Sequence, residues 1–145
     1  MVAGGETRSA SVRAGLAALP ADASVVLVHD AARPLASAEL FARVVEAVRD
    51  GADAVVPAVP VADTLRHRGG GVVDREELVA VQTPQGFRAA ALLAAHAEAP
   101  EATDDAALVE RRGGSLVLVD GEAANRKITD PSDLRAAEGM LQRCT

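Results

Sequence analysis

The sequence predicts an α/β domain built on a mostly parallel sheet. Three observations predict it. Strand-like and helix-like segments alternate along the 145 residues. The apolar run Val25–Val28 is continuous rather than alternating, the pattern of a strand covered on both faces. Three of the helical segments meet a breaker where a helix should stop, at Pro20, Gly51 and Gly113.

In chain order, Ser9 to Leu19 reads as a helix, because Val12, Leu16 and Leu19 recur at helical spacing before Pro20. "SVVLVHD" (Ser24 to Asp30) reads as a buried strand. "SAELFARVVEAVRDG" reads as an amphipathic helix with Ser37 as N-cap and Gly51 beyond its end. "ADAVVPAVPV" is the next strand, and its Pro57 and Pro60 predict an edge position or a strand that leaves the sheet. The stretch from Val61 to Phe87 breaks the alternation. Short β-prone pieces flank Gly69 to Gly71 and predict a hairpin or arm, while "QTPQGF" reads as a turn. Two helices follow, "RAAALLAAHAEA" and "TDDAALVERRGG", the second with Thr103 as its expected N-cap. "SLVLVDG" is a strand. The chain closes with a short extended piece and a helix capped by Asp130, with Pro131 in its first turn. Residues 1–145 read as one domain, with an arm at about 60–80 and no internal repeat.

Composition narrows the function. Hydrophobic residues make up 49% and charged residues 25%, the balance of a globular domain. A net charge of −6 argues against a nucleic-acid backbone as partner. Phe41 and Phe87 are the only aromatics, so base-stacking platforms are absent. Cys144 is the only cysteine, which excludes an internal disulfide or a cysteine-based zinc cluster. His29, His67 and His96 are scattered without metal-ligand spacing. No apolar run is long enough to span a bilayer and no signal peptide is visible, so the expectation is a cytoplasmic protein with no membrane partner.

Chemistry in open α/β sheets collects beyond the carboxyl ends of strands. Asp30 stands at such an end, where a carboxylate can hold a Mg²⁺ that grips phosphates or can simply cap a turn. Arg33 suits a bidentate grip on an anion, or solvent. Gly4 and Gly5 lead into a helix near Ser9 and Ser11, where exposed backbone N–H groups can meet a base or a phosphate. Arg75 on the arm and Lys127 beside a short strand read, by position alone, as solvated cations. "TDD" at 103 to 105 is explained by helix capping. Neither GxGxxG nor GxxxxGK[ST] is present.

Taken in order, "GGETRSASVRAGL", "VLVHDAARPL", "VPAVPVADTL", "VDREELVAVQTPQGF", "TDDAALVE" and "NRKITDPSDL" resemble the 2-C-methyl-D-erythritol 4-phosphate cytidylyltransferases. The resemblance runs from Gly4 to the last helix. It implies a nucleotide-diphospho-sugar transferase type of α/β fold with a β-arm, and places Val25–Val28 as a central strand. It implies a homodimer joined through that arm. The implied reaction transfers CMP from CTP to methylerythritol phosphate, releasing pyrophosphate, with Mg²⁺ or another divalent cation, in non-mevalonate isoprenoid biosynthesis. Carried over by motif, Asp30 sits near the metal and the substrate, and Arg33 is expected either to bind substrate or to brace the loop. Gly5, Ser11 and Ala31 approach the nucleotide. Arg75 and Lys127 position the methylerythritol phosphate for attack, and Thr64 and Thr103 offer hydroxyls to it. Thr64 and Arg75 would complete the partner's site.

The family's N-terminal third, with its glycine-rich phosphate loop and the loop's Arg and Lys, has no counterpart here. The expectation is an N-terminally truncated chain, nearly inactive by itself. Two alternatives stay open. One is a ribitol-5-phosphate cytidylyltransferase, which shares the CTP-facing motifs. The other is a non-catalytic dimerisation or binding fragment.

Overall fold

The structure is a computed structural model that describes residues 1–98 and 101–142. Cys144 lies outside the described residues. The elements are α1 (Arg8–Ala17), β1 (Val25–Val28), α2 (Ala38–Arg49), β2 (Ala54–Pro60), β3 (Val79–Val81), β4 (Gln85–Arg88), α3 (Ala89–His96), α4 (Asp105–Arg111), β5 (Leu116–Asp120) and α5 (Pro131–Leu141), with a 3₁₀ turn at Arg75–Glu77.

The α/β layering is as expected, but the sheet is mixed rather than mostly parallel. Among the described residues its path is β1-β4-β2-β3, with β5 on β2. β2 and β5 pair in parallel, whereas β4 runs antiparallel to both β1 and β2, and β3 antiparallel to β2. β1, β2 and β5 share one direction, although β4, which leads straight into α3, runs against it. The difference comes from residues 79–88, which return from the arm and insert against that direction. "QTPQGF" is thus only half a turn, since Gln85 to Phe87 belong to β4, between β1 and β2. β1 stands at the end of the path with β4 as its one described partner, and not at the centre.

Pro57 marks neither an edge nor a departure, whereas Pro60 stands where β2 ends and the chain leaves the sheet for the arm. β2 pairs with β5 from Ala54 to Ala58, and on its other side with β4 at Ala54 and Val55 and with β3 from Ala58 to Pro60. A strand residue aims its N–H and its C=O at the same neighbour. The Pro57 carbonyl accepts from Gln82 N at 2.7 Å. Its missing N–H therefore faces the break between β3 and β4, where no ladder bond is lost. Pro60 is the last residue of β2.

Both faces of the sheet are covered over β1, β2 and β4, while β3 and β5 leave Val79, Val81, Val117 and Leu118 exposed. Val26, Ala54, Val56 and Phe87 pack with Leu16 of α1, Leu92 of α3 and Leu108 and Val109 of α4. The alternate residue Val55 meets Val44 and Val48 of α2, with Val25 and Leu27 against the same cluster. The α2 stripe is Leu40, Val44 and Val48, one residue per turn. Its close approach is possible because β4 carries Gly86 at the crossing. A Cβ there would press on Val44 Cγ1, with Val48 Cγ2 at 3.0 Å.

The caps largely follow the sequence. Ser37 accepts from Leu40 N, Asp130 forms a capping box with Asp133, and Gly51 and Gly113 have positive φ. The cap of α4 is Asp104 rather than Thr103, which leaves the threonine hydroxyl out of the helix end. The arm is a loose hairpin. It has one bridge, Arg66 to Val72, turns at Gly70 and Gly71 with positive φ, and exposed residues from 62 to 72.

Asp53 ties the starts of β2 and β5 to the end of β4. It accepts from Ser115 N at 3.0 Å and Ser115 Oγ at 3.2 Å, and pairs with Arg88. The Ser115 backbone bond, with lesser help from the Ser115 hydroxyl and Arg88, holds its carboxyl below the usual range against the opposing effect of burial. A depressed carboxylate stabilises the fold fully above its unfolded pKa of about 3.9 and loses that contribution as the pH falls toward the folded value. Asp53→Asn should therefore shrink the loss of stability between neutral and acid pH, read as the difference in urea midpoints. Gly86→Ala should cost about 1–3 kcal/mol by overpacking β4 against α2, measured by the same unfolding at neutral pH.

Candidate active site

The carboxyl end of β1 opens onto a cleft of about 1050 Å³. Asp30, Arg33, Thr103 and Lys127 all line it, so four of the expected site residues converge from three separate stretches of chain. Arg8, Gln82, Thr83 and Glu101 also line it.

Asp30 is held by its backbone and aimed by its charge. Its carbonyl accepts from Arg33 N at 2.9 Å, closing the turn after β1. Its N–H donates to Thr83 Oγ1 at 3.0 Å. Thr83 in turn meets His29 Nδ1 at 3.0 Å, and His29 Nε2 lies 3.2 Å from the Arg33 carbonyl. A carbonyl only accepts, so Nε2 carries the hydrogen and Nδ1 accepts from the Thr83 hydroxyl. His29 packs edge-on against Phe41 of α2, ring centres 5.1 Å apart. The Asp30 carboxylate meets Lys127 Nζ at 3.1 Å, with Arg33 Nε at 3.7 Å from the same oxygen.

Arg33 braces the site rather than reaching out. Its Nη1 donates to the Asn125 carbonyl at 2.8 Å and Nη2 to the Val81 carbonyl at 3.4 Å. Its side chain is 13% exposed. The bidentate grip expected of its guanidinium is spent on backbone oxygens.

Lys127 arrives on a loop anchored from below. Asn125 is fully buried, and its amide donates to the Thr83 carbonyl at 2.8 Å and Gln82 Oε1 at 3.2 Å. Gln82 also exchanges two bonds with the backbone of Glu122. Glu122 then accepts from the N-cap hydroxyl Ser37 Oγ at 2.5 Å. Past Lys127, Ile128 N donates to the Ala32 carbonyl at 2.7 Å. The two sides of the Asp30–Lys127 pair are thereby fixed to one buried polar junction.

The remaining expected residues lie elsewhere. Gly5 N donates to Ser11 Oγ at 3.0 Å, so these two are neighbours at the start of α1, outside the cleft lining. Ala31 is exposed in the turn after Asp30 and is not among the lining residues. Thr64 and Arg75 lie on the arm around a separate hollow of about 430 Å³ with Asp74 and Glu76. Arg75 Nη1 donates to the Ala62 carbonyl at 2.7 Å. Within one chain they do not join Lys127.

Sequence reasoning passed over Arg8, Gln82, Thr83 and Asn125. "QTPQ" and the Asn of "NRKITDP" were the available signals, but a polar residue declares its burial only once three loops are brought together.

The 2-C-methyl-D-erythritol 4-phosphate cytidylyltransferase family matches residues 1–143. A "2-C-methyl-D-erythritol 4-phosphate cytidylyltransferase" of Nocardia farcinica is 53% identical over 148 residues, covering 99% of this chain and 64% of that protein. A "Bifunctional enzyme IspD/IspF" of Nitratidesulfovibrio vulgaris is 53% identical over 142 residues, covering 92% of this chain and 36% of that protein. The crystal structure of the 2-C-methyl-D-erythritol 4-phosphate cytidylyltransferase of Thermus thermophilus superposes with a TM-score of 0.89 at 49% identity, covering 96% of this chain and 71% of that one. The chain thus spans between about a third and two thirds of the length of these two curated relatives. With a matched segment that reaches almost end to end and a superposition that extends over the cleft-bearing fold, the chain belongs to the 2-C-methyl-D-erythritol 4-phosphate cytidylyltransferase family.

Proposed function

We propose that this chain carries the polyol-phosphate side of a CMP-transfer site, taking CTP and 2-C-methyl-D-erythritol 4-phosphate to 4-diphosphocytidyl-2-C-methyl-D-erythritol and pyrophosphate. The observation that carries the reading is the Asp30–Lys127 pair at 3.1 Å in the cleft, with Arg33 beside it. Two cations against one carboxylate leave a surplus positive charge for a phosphate. Family membership and the relatives' names supply the rest of the support.

In this reading a phosphate oxygen of methylerythritol phosphate attacks the α-phosphorus of CTP. A new P–O bond forms as the bond from the α-phosphorus to the bridging oxygen of the β-phosphate breaks. The electron pair leaves with pyrophosphate. No covalent enzyme intermediate is needed, so the chain contributes position and charge. Lys127 holds the attacking phosphate, its ammonium kept in place by Asp30. Thr103, freed from capping, offers its hydroxyl on the opposite wall.

A divalent ion fits this donor set. Mg²⁺ commonly takes one or two carboxylates together with substrate phosphates and water. Asp30 offers one carboxylate, 26% exposed, to the cleft. Among the described residues no group of three or more His, Cys, Asp or Glu forms an all-protein cage. Asp30 would hold the ion, and when bound the ion would neutralise charge on the triphosphate.

We place Thr64 and Arg75 in the cleft of a second copy, which makes the homodimer part of the mechanism. The exposed arm and the separation of its hollow from the cleft favour this. A cytoplasmic site of action goes with the reading. Among the described residues no helix is long and apolar enough to cross a membrane.

The test is a chimera in which this chain replaces the matching segment of the Thermus thermophilus protein, followed by CTP-dependent pyrophosphate release. Lys127→Ala should lower kcat/KM for methylerythritol phosphate by about 10²–10³. Arg75→Ala should lower turnover with CTP affinity nearly unchanged. Unaltered turnover in both variants would overturn the assignment. Faster release with ribitol 5-phosphate than with methylerythritol phosphate would move the reading to the ribitol enzyme.

A further inference from the structure

Behind the far wall of the cleft lies a charge relay that the reaction above does not use. Asp105, the first residue of α4, is fully buried. Its Oδ1 lies 2.9 Å from His96 Nε2 at the end of α3, and its Oδ2 lies 2.6 Å from Arg8 Nη2 at the start of α1. His96 is 5% exposed. A carboxylate only accepts, so His96 presents its Nε2–H to it.

Three features separate this relay from a packing pair. A buried ion pair rarely adds stability over apolar residues of the same volume, so its presence asks for a positional reason. The cation is not enclosed, since the Arg8 side chain is 35% exposed and lines the cleft that holds Asp30, Thr103 and Lys127. The guanidinium is also under-used. Asp105 takes one of its five N–H bonds, and Nη1 is buried without an acceptor among the described residues.

The wall around Arg8 is tied to α1 by hydrogen bonds. Ser9, 1% exposed, exchanges hydrogen bonds with the Ala102 backbone at 3.0 and 3.1 Å, pinning α1 to the stretch of chain that carries Thr103. Glu101 accepts from Thr7 at 3.2 Å and Arg13 at 3.2 Å. Those bonds, the Thr7 hydroxyl first, hold its carboxyl below the usual range, so its acidity is already spent on α1.

From this geometry we infer that Arg8 is a further substrate-contacting residue, and that Asp105 and His96 are its positioning residues. The ligand is a phosphate oxyanion, which a planar guanidinium held by a fixed carboxylate is shaped to grip. Within the function proposed above, that oxyanion belongs either to the CTP or to the methylerythritol phosphate. The inference rests on that reading.

The experiment is calorimetric titration of the chain with CTP and, separately, with methylerythritol phosphate, for wild type, Arg8→Gln, Arg8→Lys, His96→Gln and the Arg8→Gln/His96→Gln pair. Thermal melts check that each variant folds. Arg8→Gln should weaken one of the two ligands by about tenfold or more, and the ligand affected names the source of the oxyanion. Arg8→Lys should recover part of the loss. His96→Gln should weaken the same ligand by less, and should add nothing in the double variant, because it acts through Arg8. Wild-type affinity in Arg8→Gln for both ligands would overturn the inference and leave the proposed function standing. Full additivity in the double variant would remove His96 from the relay. A wild-type chain that binds neither ligand would overturn the proposed function and this inference together.

Discussion

The cleft depends on one buried amide. Asn125 has no exposed surface, and its side chain reaches the Thr83 carbonyl and the Gln82 side chain while its own carbonyl receives Arg33. Three stretches of chain meet there: the turn after β1, the break between β3 and β4, and the loop after β5. Each brings one part of the site. A buried amide with fixed partners leaves little freedom, because any register shift would strand polar groups away from water. The Asp30–Lys127 separation is therefore set by the junction beneath it and not by the attraction between the two charges, which are partly exposed and weak in water.

The same logic explains why the sheet is interrupted where it is. Residues 82–84 would extend β3 into β4 as one strand. Instead Gln82 and Thr83 turn their side chains to the loops above, and Pro57 on the neighbouring strand has no N–H to offer them. The broken ladder and the polar junction occupy the same place. Gly86, just beyond, lets α2 press on the sheet and fixes the layer from which His29 and Phe41 meet.

The two walls of the cleft differ in how they are held. The Asp30 wall is a hydrogen-bonded junction centred on Asn125 and Gln82, braced by Arg33, that carries the more exposed charges of Asp30 and Lys127. The Arg8 wall is a buried carboxylate gripping a cation from behind. Between them the cleft presents Lys127 and Arg8 to whatever lies inside, each leaning on an acid of its own. Such pairing keeps long side chains from folding onto the nearest carboxylate at random.

Much was legible without coordinates. The continuous run Val25–Val28 implied cover on both faces, and Val26 and Leu27 do pack against opposite helical layers. Ser37, Asp130 and the positive-φ glycines announced their caps and turns, because these obey local rules. The motif residues Asp30, Arg33, Thr103 and Lys127 do come together in one cleft. The sequence by itself thus determined the α/β layering, the family and four motif residues that share one cleft, all of which follow from near-neighbour periodicity and ordered motifs. Only the tertiary structure decided that β4 inserts antiparallel, that Pro57 sits inside a paired strand, that Arg33 braces, and that His96, Asp105 and Arg8 form one relay. Those depend on which distant residues share a buried volume, and a linear pattern carries no information about that until the layers have packed.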